Sequence, residues 1–508
     1  MSDLQSASDS LLAWMQECGA SVDNVSIGKS ALAGGLGLFA AVDIPPGGEV
    51  FRCPCRLTLT AEAAMADPSI GAALTSRASR IDRHMMNIVY LLHCRQSGLH
   101  AAYISCLPND VDDDLPQNWS DDEQSGWLRG TSLLWHAREG AKTLRSFHEE
   151  VLVDLCARHP EAFPREAYNF RALCWAHAVY WSRAIGLTFP GGKREALVPL
   201  LDMCNHRPGV ATATVSLVAA ATEPTYALRA SGAVKRGQEI FINYGAKGTG
   251  ELLRCHGFTL LDNSADVCEL DLSELPSFVL SHEGASRRSG LGLDACMVAE
   301  RLHRVSILKM STGSRSRGRP LVFQLFRGGL PPQLLPSARL LCADEGDELR
   351  AALEEWQAGE GLVGSSSSAC KTFDWSLVDW SAPDPFAEAN AAVEEAAPVG
   401  VACEQRTLRA LEALLRAHLD ALPSAPELAH DARDDAESQH DEARRKRRQN
   451  ARVYVESQRS VLEEVRHAIS DMLRGRPPPG AAVEPQSSKR VRHVELESAT
   501  EGGERNAI

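Results

Sequence analysis

The sequence lacks the features that mark membrane, secreted and nucleic-acid-binding proteins. No apolar run approaches the roughly 20 residues that a membrane-spanning helix needs. The N-terminal stretch MSDLQSASDSLLAWMQECGA carries acidic side chains and only a short apolar segment, which is typical of neither a signal peptide nor a transit sequence. The net charge of −14 argues against binding to nucleic acid through bulk positive charge. We therefore expect a cytosolic or nuclear protein that contacts neither membrane nor nucleic acid directly.

Clustered cysteines are also missing. The chain has 14 cysteines, but they are scattered and no CxxC pair occurs among them. Structural zinc sites need clustered ligands, and disulfide frameworks belong to short secreted chains. We therefore expect reduced, mostly buried thiols and no metal site.

The 508 residues are enough for two or three domains, and their pattern changes along the chain. After a lead segment (1–21), residues 22–262 have β-rich patterns, with strands FAAVDI and EVFRCP joined by the turn IPPGGE. A helical insert, at about 61–170, interrupts them. Residues 263–475 show helical periods and predict an all-α domain, whereas the tail 476–508 lacks core-forming residues and is expected to be disordered. The expected fold class is α+β.

The stretch ALVPLLDMCNHRPG ends an apolar run, which is typical of a buried strand, in polar side chains. These are Asp202, Asn205 and His206. Burying polar groups is costly unless each finds a partner, so they either fasten a turn or hold a ligand. The residues alone leave both interpretations open.

The string GLGLFA matches the dinucleotide-binding pattern G-x-G-x-x-A. That pattern binds a nicotinamide cofactor only where a strand precedes it and a helix begins at the last glycine. Pro45 and Pro46 follow within a few residues and prevent a long helix. What remains is a glycine-lined turn whose backbone approaches a ligand, or an ordinary β-turn.

Three segments in this order resemble one family: GLGLFAAVDIPPGGEVF, LVPLLDMCNHRPG and GQEIFINYGAKGTGELLRCHGF. They are similar to the SET-domain protein methyltransferases, in particular the subgroup of the Rubisco large-subunit lysine methyltransferase and the actin-histidine methyltransferase. That subgroup has a helical insert inside the SET domain and a helical substrate-binding domain after it. Landmarks of the insert and of the C-terminal helices extend the resemblance over roughly Val22 to Leu473.

The resemblance implies S-adenosyl-L-methionine as the cofactor, in a site beside a pseudoknot where the chain is threaded. An arginine suits the carboxylate of this cofactor, and an amide or backbone carbonyls suit its ammonium. The cofactor-binding residues that it implies are Gly35, Leu36, Gly37, Arg183, Asn205, His206, Tyr244 and Phe258.

Tyr244 matches the catalytic tyrosine of the family. Methyl transfer is an in-line displacement, so the enzyme must align a neutral nitrogen with the methyl group, and a tyrosine hydroxyl can orient that nitrogen. The chemistry needs no metal and no covalent intermediate. The implied substrate channel consists of Ile185, Tyr244 and His256.

The chain departs from the family pattern at three positions. Gly34 stands where an acidic residue is common, and Ile185 and His256 stand where many lysine-methylating members have aromatic residues. Because the last two positions line the channel, we take lysine as the primary target and histidine as the alternative. A catalytically silent SET module that binds a protein partner is a second alternative.

Two charged segments have alternative interpretations. The acidic loop Asp110 to Asp114 either draws in a basic substrate or is only solvated, and the basic run Arg444 to Arg448 is either a solvated helix face or a nuclear-import signal. No cysteine cluster follows Phe258, so the helical C-terminal domain would close the channel in place of a zinc-bound element. We expect a monomer that acts on a protein substrate.

Overall fold

The computed structural model describes residues 2–32, 35–109, 114–189, 192–208, 212–218, 224–275, 322–327, 330–331, 334–343, 351–352, 401–428 and 439–474. The tail 476–508, predicted to be disordered, lies outside these residues, and so does Gly34. Within them, no helix combines the length and apolar character that a bilayer-spanning segment needs.

Helices make up most of the insert and most of the C-terminal region. Their bounds are α1 Ser2–Glu17, α2 Ala61–Ala66, α3 Gly71–Thr75, α4 Arg83–Ser97, α5 Ala101–Ile104, α6 Asp121–Trp127, α7 Ser132–Phe147, α8 Val153–Arg158, α9 Phe170–Arg183, α10 Thr249–His256, α11 Leu334–Cys342, α12 Val401–Ala421 and α13 Gln439–Leu473. The helices α2 to α8 lie within the predicted insert at about 61–170, and α9 continues the helical stretch to Arg183.

The strands are short and pair mainly across long sequence distances. Their bounds are β1 Val25–Lys29, β2 Leu36–Ala40, β3 Glu49–Pro54, β4 Ile185–Phe189, β5 Gly192–Ala196, β6 Asn205–His206, β7 Ala213–Val218, β8 Thr225–Ala230, β9 Glu239–Ile242, β10 Val267–Asp271 and β11 Val322–Phe326. They form sheets of order β1-β2-β9-β6, β3-β8-β7, β4-β5 and β10-β11. Only β6 and β9 pair in parallel among these described strands.

The predicted hairpin between FAAVDI and EVFRCP is wrong. β2 pairs with β9, with Leu38 opposite Ile240, whereas β3 pairs with β8 in another sheet. The connection between β2 and β3 bonds to the one before β9, because the Ile44 amide donates to the Val234 carbonyl (2.8 Å). The proline- and glycine-rich turn was correctly located, but a turn signal does not determine which strand is the partner.

The strand expected at ALVPLLDMC ends earlier than predicted. Leu197 makes an isolated bridge to Leu59, and the chain then enters a turn and the 3₁₀ helix Leu201–Met203. The run is buried throughout, so its apolar character comes from its place in the core. Periodicity alone does not separate a buried strand from a buried turn.

The C-terminal region is helical as predicted, but it is not all-α. β10 and β11 form an antiparallel pair in which Cys268 lies opposite Leu325. Each strand has only five residues, and their partners are far apart in sequence, so the alternating pattern in VCELD is a weak local signal.

Two apolar cores meet near α10. The first contains the SET-type strands with α1, α4 and α9, and the second contains α11 to α13 with side chains of the insert. Tyr244 packs against the first core, whereas Leu253 belongs to the second. The segment from Tyr244 to α10 therefore crosses from one core to the other.

The basic run Arg444 to Arg448 lies on α13 and contacts the insert, so it is not a purely solvated face. Arg447 Nη2 donates to Glu123 Oε1 (2.8 Å), and Lys446 Nζ donates to Asp114 Oδ2 (2.7 Å). The rest of the acidic loop lies outside the described residues. These ion pairs fasten the C-terminal region to the SET-type half of the chain.

The same run covers an aromatic ring of the insert. The guanidinium groups of Arg444 and Arg448 lie 5.4 and 5.3 Å from the centre of the Trp127 ring. Trp127 is buried, and such cation–π contacts gain strength where water is excluded. The run therefore has a packing role in this fold.

We expect the substitution Arg447→Ala to lower the free energy of unfolding by about 1–2 kcal/mol, because it leaves the buried Glu123 carboxylate with a weaker partner. Arg444 Nε, at 3.9 Å, is the cation that remains nearby. Urea denaturation measures this change, and Arg452→Ala is the matched control, since its pair with Glu456 is half-exposed and is worth less than about 0.5 kcal/mol. Equal losses in the two variants would contradict the proposed fastening.

Candidate active site

Arg183 and Ile185 lie where α9 ends and β4 begins. At the other end of α9, the Asn169 side chain accepts a hydrogen bond from the Ala172 amide, which is an N-cap. Ala184 then takes an extended conformation (φ −66°, ψ 136°), so the helix stops at Arg183 and the chain enters a strand. Both residues consequently face an internal cavity.

The segment from Leu200 to His206 brings its polar residues into the same region. Leu200 has a φ of 72°, a conformation that is uncommon for a non-glycine residue. After the 3₁₀ turn, β6 runs parallel to β9 and Asn205 lies opposite Phe241. Asn205 and His206 therefore lie on the last strand of the sheet β1-β2-β9-β6, and Asp202 lies in the buried turn before it.

Asp202 fastens Arg183. Arg183 Nη1 donates to Asp202 Oδ2 (3.2 Å) and to the Asp202 carbonyl (3.1 Å), and the Tyr103 hydroxyl donates to the same carboxylate (2.9 Å). The Asp202 side chain is fully buried, and this burial raises its pKa against the opposing effect of Arg183. Arg183 Nε is buried and has no hydrogen-bond partner among the described residues.

Asn205 has one amide orientation that satisfies its neighbours. Its Nδ2 donates to the Leu36 carbonyl (3.1 Å) and to Glu239 Oε1 (2.8 Å), and both of these groups can only accept. The Ser30 hydroxyl holds the other Glu239 oxygen (3.0 Å). Both amide hydrogens are used, and the Asn205 Oδ1 acceptor makes no hydrogen bond to a described residue.

Gly37 is required where β2 meets this network. A Cβ atom at Gly37 would lie 2.6 Å from Glu239 Oε1 and 3.1 Å from Asn205 Nδ2. At Gly35 a Cβ would meet nothing within 4 Å, so the backbone there borders open space. Gly37 thus lets the Glu239 and Asn205 side chains pack closely against β2, and the backbone at Gly35 is open to a ligand.

Tyr244 is held by two hydrogen bonds at the end of β9. Its hydroxyl donates to the Cys204 carbonyl (2.9 Å), and its amide donates to His206 Nδ1 (3.1 Å). The rings of His206 and Tyr244 stack with centroids 4.9 Å apart. Burial raises the pKa of Tyr244, so the hydroxyl stays protonated and its oxygen lone pairs can accept a hydrogen bond.

His256, the last residue of α10, lies beside Tyr244. Its Nδ1 is 3.0 Å from the Ser182 carbonyl, and its ring is 5.0 Å from that of Tyr244 and 6.0 Å from that of Phe258. Burial lowers the pKa of His256 from 6.5 to about 4. The imidazole is therefore neutral at neutral pH.

A cavity of about 360 Å³ brings part of the expected site together. Of the expected residues it is lined by Arg183, Ile185, Tyr244 and His256. Gly35, Leu36, Gly37, Asn205, His206 and Phe258 do not line it. Asn205 bonds to Leu36, and the His206 ring lies 4.9 Å from the ring of Tyr244, which does line the cavity, and 6.5 Å from the ring of Phe258.

The residue pattern did not single out several members of the site. Glu239 holds Asn205 in place, and Glu195, Lys247 and Glu251 line the cavity. Asp202, which holds Arg183, was singled out in the sequence as a polar residue at the end of an apolar run. No cluster of three or more metal-ligating side chains occurs in the described part of the chain.

The cavity presents a guanidinium and two uncharged aromatic side chains, from Arg183, Tyr244 and His256. A buried guanidinium donor suits a carboxylate, and a free amide oxygen suits an ammonium. Neutral acceptors on Tyr244 and His256 suit an N–H group. The site has no described nucleophile paired with a base, so it favours group transfer between bound partners.

Comparisons with known protein families match two parts of the chain. The family described as SET domain matches residues 35–245, and the family described as Rubisco LSMT substrate-binding matches residues 303–462. The chain thus contains a SET domain followed by a substrate-binding domain of the Rubisco LSMT type.

Individual relatives give the same picture. The chain is 29% identical over 276 residues to actin-histidine N-methyltransferase of Danio rerio, covering 52% of this chain and 44% of that protein. It is 27% identical over 354 residues to the Xenopus tropicalis protein of that name, covering 68% and 55%. The chain therefore matches about half the length of these relatives.

Solved structures share the fold over most of the chain. The SET domain of LSMT bound to lysine and AdoHcy superposes with a TM-score of 0.62 at 18% identity, and Rubisco LSMT bound to AdoMet with 0.59 at 18% identity. Each comparison covers 92% of both chains. The predicted α+β fold with a helical C-terminal region is thereby confirmed.

The lowered pKa values of two buried histidines predict how the free energy of unfolding depends on pH. Burial lowers the pKa of His177 and of His256 from 6.5 to about 4. Between these values the unfolded chain binds protons that the folded chain does not, so stability falls as the pH drops from 6.5 towards 4, by up to about 3 kcal/mol per histidine. Measured by urea denaturation across this range, the free energy of unfolding should depend less on pH in His177→Phe and in His256→Phe than in the wild type. Profiles parallel to that of the wild type would contradict this prediction.

Proposed function

We propose that this protein transfers a methyl group from S-adenosyl-L-methionine to a side-chain nitrogen of a protein substrate. The observation that carries the proposal is the position of Arg183, which lines the cavity and whose guanidinium is held by Asp202. Asn205 Oδ1 is an acceptor whose amide nitrogen is fully used. A guanidinium suits a carboxylate and an amide oxygen suits an ammonium, and these are the two charges at the amino-acid end of this cofactor.

The residues of this chain would share the cofactor as follows. Arg183 would bind the carboxylate and Asn205 the ammonium, the backbone at Gly35 to Gly37 would border the ligand, and Phe258 would pack on the base. When bound, the cofactor supplies an electrophilic methyl group on a sulfonium sulfur. Asp202 holds Arg183 in position, since the buried carboxylate bonds to the same guanidinium.

Tyr244 would orient the nucleophile. Its proton is committed to the Cys204 carbonyl, so its oxygen can accept an N–H hydrogen bond from an incoming nitrogen. A nitrogen that is already oriented loses little translational and rotational entropy on reaching the transition state. This saving accounts for a large part of the rate enhancement when an enzyme joins two bound reactants. Because its pKa is raised, Tyr244 acts as a neutral group and not as a phenolate.

The target is a protein, with lysine as the primary choice and histidine as the alternative. The relatives named actin-histidine N-methyltransferase support the alternative, and the fold shared with LSMT bound to lysine supports the primary choice. The helix α13 supports the channel from behind, because Asn450 Nδ2 donates to the Gly257 carbonyl (3.1 Å) next to His256. The C-terminal region would therefore complete the substrate channel.

Transfer of label tests this function. Methyl-labelled cofactor and fractionated cell proteins are incubated with the wild type, with Gly37→Ala and with Gly232→Ala, and protein-bound label is counted. A Cβ at Gly232 meets nothing within 4 Å, whereas one at Gly37 displaces Glu239 and Asn205. We expect label with the wild type and Gly232→Ala and a loss of at least about tenfold with Gly37→Ala, the effect of misplacing a binding group. Absence of label with the wild type would sink the proposal.

A further inference from the structure

One side of the helix α13 faces the segment that runs from α10 to β10. Four of its residues, each four positions from the next, lie along this side: Lys446, Asn450, Tyr454 and Gln458. A Cβ atom at Gly250, in α10, would lie 2.9 Å from the Tyr454 ring. Gln458 Nε2 donates to the carbonyl of Val267, the first residue of β10 (2.9 Å). The helix therefore contacts this segment near both of its ends.

Between these two contacts, Asn450 makes hydrogen bonds on both sides of Phe258. Its Nδ2 donates to the Gly257 carbonyl (3.1 Å), and its Oδ1 accepts from the Thr259 hydroxyl (3.0 Å). The orientation of the amide is determined, because a backbone carbonyl can only accept. One side chain of α13 thus fixes the chain before and after Phe258.

The turn at Gly257 is also enclosed from the opposite side, by the insert. Gly257 ends α10 in the left-handed conformation (φ 73°). A Cβ atom there would lie 2.7 Å from the Cβ of Asp114, whose carboxylate accepts from Lys446 Nζ (2.7 Å). The turn before Phe258 is therefore held between the insert and α13.

The ring of Phe258 lies beside the candidate site. Its centroid is 6.5 Å from that of His206 and 6.0 Å from that of His256. In the proposed function this ring packs on the base of the cofactor. Binding groups need to be held within about 0.5 Å by the packing and hydrogen bonds around them. Whatever fixes the turn at Gly257 consequently affects how the ring meets the base.

We propose that Asn450 is a positioning residue for the cofactor base. By fixing the chain on both sides of Phe258, it couples the C-terminal region to the affinity for S-adenosyl-L-methionine. The inference rests on the proposed function and goes beyond it, because it gives a role in cofactor binding to a residue of the part that matches a substrate-binding family (303–462).

Calorimetric titration with S-adenosyl-L-methionine measures this role. We expect Asn450→Ala to weaken binding by up to about tenfold, since an aromatic contact is worth up to about that factor. Thr259→Val removes one of the two hydrogen bonds and should have a smaller effect in the same direction. The matched control is Gln458→Ala, which removes a hydrogen bond from the same side of α13 to Val267, away from Phe258, and should leave the affinity unchanged.

A double-mutant cycle shows whether Asn450 acts through Phe258. Phe258→Leu alone should weaken binding, and adding Asn450→Ala to it should change the affinity by less than about twofold, because the ring that Asn450 positions is then absent. A merely structural role would give the same loss in both backgrounds. Urea denaturation checks that each variant is folded, and Thr259→Val takes the place of Asn450→Ala in the cycle if that variant is not.

The outcomes separate the two claims. Wild-type affinity in Asn450→Ala or in Phe258→Leu, an equal loss in Gln458→Ala, or additive effects in the cycle would overturn the positioning role while the cofactor site stands. No binding of the cofactor by the wild type would overturn the proposed function and this inference together.

Discussion

Replacing Tyr244 by phenylalanine should slow methyl transfer by about 10²–10³-fold, the usual cost of removing one oriented hydrogen-bonding group from a reacting centre. The hydroxyl donates to the Cys204 carbonyl, and in the proposed function its oxygen accepts from the incoming nitrogen, so Tyr244→Phe removes the group that would orient that nitrogen. The stacking of the ring on His206 should survive, because phenylalanine keeps the ring. The rate is measured in a single turnover with labelled cofactor and excess enzyme.

Two controls make this result specific. Cofactor affinity, measured by calorimetry, should change by less than about threefold, since binding of the amino-acid end is assigned to Arg183 and Asn205. Thermal unfolding should show that the variant is folded. A single-turnover rate within threefold of the wild type would mean that Tyr244 does not orient the nucleophile.

Replacing Arg183 by methionine should be the most destabilising single change at the site. The substitution leaves the Asp202 carboxylate fully buried with Tyr103 as its remaining side-chain partner. Removing one member of a buried ion pair costs about 3–5 kcal/mol. Urea denaturation measures the loss, and Arg158→Met, which breaks an exposed pair with Asp154, should cost less than about 0.5 kcal/mol.

A second substitution separates stability from binding. Adding Asp202→Asn to Arg183→Met removes the unpaired charge and should restore most of the lost stability, because an amide costs less to bury than a carboxylate. Cofactor binding should not return, since the donor for the carboxylate is still missing. Recovery of binding in the double variant would show that Arg183 matters only as a partner of Asp202.

Much of this fold follows from patterns that are local or belong to the family. The helices α2 to α8 lie within the stretch whose periodicity predicted a helical insert, and β3 lies at the segment EVFRCP that was predicted to be a strand. The pairing of β2 with β9 was not predictable in this way, because it joins segments about 200 residues apart in sequence. The β10-β11 pair was missed for the same reason.

The candidate site likewise contains residues that motifs predicted and residues that only the fold brings to it. The motifs DMCNH and NYG pointed to Asn205, His206 and Tyr244, and the assigned roles of these residues stay predictions. Glu239 has no motif of its own, and its importance comes from two side chains, Ser30 and Asn205, that reach it across the sheet. The contact of His256 with the Ser182 carbonyl is likewise a product of the fold, since that carbonyl belongs to α9.

The most direct test of the central claim is calorimetric titration of the wild-type chain with S-adenosyl-L-methionine, beside Arg183→Lys. The account predicts binding of one cofactor per chain, weakened about tenfold or more in Arg183→Lys, because a lysine cannot hold the Asp202 carboxylate and the cofactor carboxylate with one planar group. No binding to the folded wild type would contradict the account at its first step.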